Sequence, residues 1–144
     1  MGKRNNELCR ETVLNIFRAE SKFRREVQKL FKEYGASQPQ LNVLRILCES
    51  EGGALPSGGI GEKIWTNVPD ITRLVNRLEE SGFVVRNRVP EDRRVVMVQI
   101  TQKGRALVKK VGGPLRALSV QQLSHLSIRE VETLSRLLQK GLEE

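Results

Sequence analysis

Residues Asn67 to Ile100 read NVPDITRLVNRLEESGFVVRNRVPEDRRVVMVQI. Ile71, Leu74, Val75 and Leu78 recur at helical spacing and form one apolar stripe, while Thr72, Arg73, Asn76 and Arg77 fall on the opposite face. The pattern predicts a helix over Asn67–Ser81. Asn67 serves as its N-cap, Asp70 lies three positions on beside the positive helix start, and Gly82 ends it. Phe83–Val89 and Val95–Ile100 are rich in β-branched residues and read as paired strands. The tip of their turn is Glu91, Asp92, Arg93 and Arg94. A helix with a polar, cationic outer face beside an arginine-tipped hairpin suits duplex DNA. The helix enters a major groove and the hairpin reaches the neighbouring minor groove.

Working outward, Cys9, Val13, Ile16, Phe23, Val27, Leu30, Phe31 and Tyr34 keep helical spacing over about Asn6–Tyr34, with Gly35 as the residue that ends the helix. Ser37 or Gln38 precedes Pro39, a favoured first-turn residue, and Pro39–Glu49 is apolar on several sides, so it is the expected buried centre. Glu51–Gly59 reads as a glycine-rich loop, with a short helix near Ser57–Ile64 weakened by Gly58 and Gly59. After the strands, Thr101 caps a helix carrying Leu107, Val108 and Val111, which Gly112, Gly113 and Pro114 are expected to break or kink. Ser127 with Glu130 forms a capping-box pattern ahead of Val131, Leu134, Leu137, Leu138 and Leu142.

The expected fold is therefore mainly α with a small β wing: a winged helix-turn-helix core over residues 36–103, with dimerisation helices over 1–35 and 104–144. A small winged core has too little surface to cover the long apolar stripes of the end helices. A second copy related by a two-fold axis is the simplest cover, the alternative being that these helices fold back on their own core.

The chain has 144 residues, a formal net charge of +8 and a pI near 10.0, which favours a polyanion partner. No apolar run approaches the ~20 residues needed to cross a bilayer, and the N-terminus MGKRNNELCRE lacks a signal-peptide core, so a cytoplasmic location is expected. Cys9 and Cys48 are read as free thiols, and a single histidine, His125, with no CxxC pair argues against a metal site. No glycine-rich phosphate loop follows a strand and no base stands beside a nucleophile, so neither a cofactor nor an enzymatic activity is expected.

The candidate DNA contacts follow from hydrogen-bond chemistry. Arg donates two bonds to guanine, Asn pairs with adenine and Thr meets the thymine methyl. Pro69, Asp70, Thr72 and Arg73, near the helix start, are placed for base proximity, with Asn76 and Arg77 closer to the phosphates. Thr66 and Asn67 stand where a helix start holds a phosphate. On the wing, Arg86 and Arg88 lie on the rising strand and Arg93 and Arg94 at the tip, and the Asp92 carboxylate is expected to hold the Arg94 guanidinium and pre-order it.

The run DITRLVNRLEESGFVVRNRVPEDRRVVMVQITQKG resembles the MarR family of winged-helix transcriptional regulators. It shares a T-R-L-x-x-R-L-E-x-x-G-x-V recognition helix, a D-R-R wing and an I-T-x-x-G helix start, and the whole helix order matches. The resemblance implies an obligate homodimer on the double-stranded DNA of a pseudo-palindromic operator, usually as a repressor, with Asp92 and Arg94 as the wing pair and Arg94 in the minor groove. It also implies release by a small phenolic or aromatic ligand, for which Phe17, Phe23, Phe31 and Trp65 are candidate lining residues. The chain departs from the family at Trp65-Thr66-Asn67-Val68-Pro69, where a serine-rich turn is usual.

Two other readings stand beside this one. A winged helix can bind protein in place of DNA, although an arginine-tipped wing gains little from a neutral partner. Some relatives sense peroxide through a cysteine early in the first helix. Cys9 occupies a similar region next to Arg10, but Tyr34 is the only tyrosine to accompany it. The plainer role for Cys9 is a small apolar residue at the dimer seam.

Overall fold

Most of the helices start or stop where a local group satisfies the backbone. The computed structural model describes residues 2–64 and 70–143. Helix α1, Lys3–Glu33, ends before Gly35, whose φ of 71° gives the left-handed turn that a glycine makes without strain. Helix α2, Gln38–Glu49, opens on a reciprocal cap: the Ser37 hydroxyl accepts from the Gln40 backbone N–H, and the Gln40 side chain accepts from that of Ser37. A 3-10 turn over Glu51–Gly53 leads into strand β1, Ala54–Pro56, and helix α3, Ser57–Lys63. Helix α4, Ile71–Glu80, and strands β2, Val84–Val89, and β3, Asp92–Ile100, form the helix and wing. Helices α5, Gln102–Gln122, and α6, Ile128–Leu142, close the chain.

The molecule is mainly α with a small antiparallel sheet of order β1-β3-β2. Strand β1 was not expected; the sequence reads there as loop. Its three residues are too short to show alternation, and its partner lies far along the chain (Leu55 opposite Val98), so only the folded chain reveals it. Pro56 is tolerated because β1 is an edge strand.

Val43, Leu44 and Leu47 of α2, Ile60 of α3, Leu74, Val75 and Leu78 of α4, and Val84, Val98 and Ile100 of the sheet make one buried cluster. The expected apolar stripe of α4 and the central place of α2 are both present in it. A second, smaller cluster joins Phe31, Ala36, Leu41 and Val111, with Val27, Leu30, Tyr34, Leu107 and Leu115 packed around it.

The glycines and proline of α5 do not break it. The helix runs continuously through Gly112, Gly113 and Pro114. Leu107, Val111 and Leu115 pack the same face of α5 against α1 and α2 on either side of Pro114, and that shared burial offsets the missing Pro N–H bond. Helix α6 begins with the expected Ser127–Glu130 capping box, and none of its residues is buried. Its leucines and Leu8, Val13, Ile16 and Phe17 of α1 remain exposed. Among the described residues, no helix is long and apolar enough to cross a membrane.

Candidate nucleic-acid interface

Helix α4 starts later than its sequence pattern suggests. Its N-cap is Asp70, whose Oδ1 accepts from the Arg73 backbone N–H at 2.9 Å, so the capping role expected of Asn67 falls to Asp70. A carboxylate does this well, because it satisfies an orphan N–H and also sits at the positive end of the helix dipole. Thr66, Asn67 and Pro69, named from the sequence as contacts, and Trp65 lie outside the described residues.

The far end of α4 is held as firmly. Gly82, with φ of 76°, lets the Phe83 N–H return to the Leu78 carbonyl at 2.9 Å. The Lys103 ammonium donates to the Ser81 carbonyl at 2.7 Å and rests 5.0 Å from the Phe83 ring centroid. A cation there complements the negative end of the helix dipole. The Thr101 hydroxyl donates to the Gly82 carbonyl at 2.6 Å while accepting from the Gly104 N–H at 3.1 Å. These anchors join the start of α5 to the end of α4. Nothing in the sequence singles out Lys103 for this part, since it is one lysine among many.

With Leu74, Val75 and Leu78 turned inward, Thr72, Arg73, Asn76 and Arg77 are exposed together on the outer face, as expected. Asp70 is exposed beside them. Arg86 joins this face from the wing. Its guanidinium donates to Glu79 Oε2 at 2.8 Å, to the Asn76 side-chain oxygen, and more weakly to the Thr72 carbonyl at 3.5 Å. Arg86 is thus engaged with the helix and not free on the hairpin as the sequence suggested. Glu79, which holds it, was not among the residues singled out. Its signal was a carboxylate seven residues before an arginine, across a glycine turn, and this becomes legible only when β2 is seen to run back along α4.

The rest of the wing projects. Arg88, Arg93 and Arg94 are exposed. The turn is tighter than expected: Pro90 and Glu91 form it, Asp92 already pairs with Val89, and a register shift between Arg88 and Val89 bends the ribbon. Asp92 is not found on the Arg94 guanidinium. Its Oδ1 accepts from the Arg94 backbone N–H at 3.0 Å, so the carboxylate fixes the main chain at the tip and leaves the side chain of Arg94 unpaired among the described residues. A carboxylate two residues before an N–H closes this local turn more readily than it reaches the end of a long side chain.

One cavity adjoins the interface and a second lies on the end helices. The first, of about 480 Å³, lies between α3, α4 and the wing, walled by Ile71, Val75 and Val96 with Arg86 at its rim. The other, about 620 Å³, is an apolar groove between α1 and α6 lined by Ile16, Phe23, Val27, Leu134 and Leu138. The aromatic residues proposed from the sequence do not share one cleft: Phe23 lines the groove, Phe31 is in the core and Phe17 is exposed. Cys9 is exposed on α1 and Cys48 is half-buried, both as free thiols.

The sequence model of the MarR family matches residues 36–96. The HTH-type transcriptional regulator MhqR of Bacillus subtilis (strain 168) is 32% identical over 114 residues, covering 79% of this chain and 77% of that protein. The crystal structure of a MarR transcription factor from Planctomyces limnophilus superposes with a TM-score of 0.72 at 34% identity, over 90% of this chain and 94% of the other. A mutant of MarR from E. coli, complexed with operator DNA, gives a TM-score of 0.78 over 99% of this chain and 100% of the other. At 22% identity that likeness speaks for the fold alone. The chain covers 44% of one curated HTH-type regulator and 90% of another.

Proposed function

Since the chain belongs to the MarR family of winged-helix transcriptional regulators, we propose that it is a homodimeric, sequence-specific repressor acting on a pseudo-palindromic operator in the cytoplasm. One observation carries the reading. The exposed face of α4, with Thr72, Arg73, Asn76 and Arg77, is locked through Arg86 to a hairpin that carries Arg88, Arg93 and Arg94 into solvent. A rigid pairing of helix and wing meets a major and a minor groove at once, and a net charge of +8 adds the general attraction to phosphates.

The residues 36–103 form the DNA-binding core in this reading, and residues 1–35 and 104–144 form the dimer. The exposed leucines of α6 and apolar residues of α1 support the pairing, because an uncovered stripe of that length is a liability in water. Repression is relieved by a small aromatic or phenolic ligand. In support, the cavity between α3, α4 and the wing offers apolar walls and one guanidinium, a lining that fits an aromatic acid.

Selection of bound sequences from a random duplex pool, followed by mobility shift across salt concentrations, tests the proposal. The expected result is salt-sensitive binding to two inverted half-sites about 10 bp apart. Retention of no duplex in dilute buffer refutes it and favours a protein partner for the wing.

A further inference from the structure

Asn76 stands where its carboxamide would ordinarily be free to turn either way. Here it is not. Arg86 brings a guanidinium against it, and a guanidinium has only donors to offer. The atom of Asn76 that faces Arg86 is therefore the carbonyl oxygen, because the alternative sets an NH2 group against a cation. Glu79 holds the guanidinium from its other side at 2.8 Å, and the Thr72 carbonyl lies within its reach. The carboxamide is thus clamped with its oxygen turned toward the wing and its Nδ2 group left for an outside partner.

The position of Asn76 on the helix gives this a consequence. With Asp70 as N-cap, Asn76 lies in the second turn of α4, nearer the helix start than a cap at Asn67 would put it. It is exposed, and with Arg73 it lies roughly opposite the buried Leu74, Val75 and Leu78. Residues so placed on a recognition helix meet base edges.

Resting on the reading of the chain as a reader of duplex DNA, we infer that Asn76 is a donor-only specificity residue and that Arg86 and Glu79 are the positioning residues that make it so. An unrestrained asparagine meets adenine with both its groups, donating to N7 and accepting from N6. A clamped Asn76 has its oxygen turned toward Arg86 and presents only its NH2 group outward, so nothing on it faces the N6 amino group as an acceptor. It meets an edge made of acceptors, and guanine, with N7 and O6 side by side in the major groove, is the base that offers one. The wing thereby sets a base preference on a helix it does not belong to, without Arg86 touching the base.

The test compares the sequences selected from a random duplex pool by the full-length wild type and by Asn76→Ala, Arg86→Met and Asn76→Asp. The wild type selects guanine at one position of each half-site. Asn76→Ala flattens that position and weakens binding to the preferred site about tenfold, the scale of one base contact. Arg86→Met releases the carboxamide and admits adenine there. Asn76→Asp keeps an oxygen for Arg86 but turns an acceptor outward, so guanine is rejected and cytosine, whose N4 group donates, replaces it. This variant retains the tie to the wing and serves where circular dichroism shows that Arg86→Met has not folded.

A wild-type preference for adenine at that position overturns the inference. So does a position indifferent to Asn76→Ala, or an Arg86→Met protein weakened by the same factor on every sequence, which is what a merely structural arginine would produce. A wild type that holds no duplex at low salt overturns this inference together with the DNA-binding reading. A wild type that binds with the wrong base pattern overturns this inference alone.

Discussion

Leu137→Glu tests the pairing of two copies at its most exposed consequence. Leu137 is 53% exposed in the single chain, on a helix with no buried residue. Fully burying a leucine contributes about 1.5–3 kcal/mol, so covering its remaining half contributes about 1 kcal/mol per copy and about 2 kcal/mol per dimer. Glutamate forfeits that and leaves an unpaired carboxylate in the seam of each copy, at about 1–3 kcal/mol each. The two-fold axis applies every term twice, giving a loss of about 4–8 kcal/mol, or a dimer weakened at least about a thousandfold. Sedimentation velocity at micromolar concentration reads the effect directly, with far-ultraviolet circular dichroism as the check on folding. The wild type runs as a dimer and the variant as a helical monomer that no longer protects both half-sites in a footprint. A variant that still sediments as a pair, with a dissociation constant within about tenfold of the wild type, refutes the reasoning and moves the seam away from this face of α6.

Three further outcomes are expected. Arg94→Ala lowers operator affinity by about 1–3 kcal/mol in a mobility-shift assay and leaves the sedimentation of the dimer unchanged. Hydrogen bonds from the Ser127 hydroxyl and backbone N–H hold the Glu130 carboxyl below its ordinary value. A carboxyl lowered in the folded state stabilises the cap of α6 above its unfolded value, and that support is lost as the pH falls through the folded one. An acid titration followed by circular dichroism therefore shows a loss that Glu130→Gln abolishes. Gly104→Ala lowers stability by about 1–3 kcal/mol in thermal melts, because a Cβ there presses on the Phe83 carbonyl oxygen and lies 2.8 Å from Ile100 Cγ1.

Periodicity made much of this molecule legible in its sequence. The stripe of Ile71, Leu74, Val75 and Leu78, the β-branched runs on either side of Pro90, and the Ser127–Glu130 box are local patterns, and the chain builds them where the residues say. The candidate interface was legible to the same depth, as the exposure of Arg73 and Arg77 follows from the apolar stripe on the other face of their helix, and that of Arg88, Arg93 and Arg94 from their charge on a hairpin with no apolar task there. Whatever required a distant partner was not. Strand β1 exists because β3 passes beside it, and α5 continues through Pro114 because α1 and α2 hold both sides of it. Asp92 could be placed near Arg94 by counting, but which group of Arg94 it binds depended on the backbone of the turn. Arg86 shows the division most clearly. The sequence supplied a cation on a hairpin, whereas the packing of β2 along α4 turned that cation toward Glu79 and Asn76. Local spacing fixes which face of a helix or strand is apolar, since that depends on neighbours a few residues away. The partner of a long polar side chain is fixed by elements brought together from elsewhere in the chain, and only the tertiary structure supplies those.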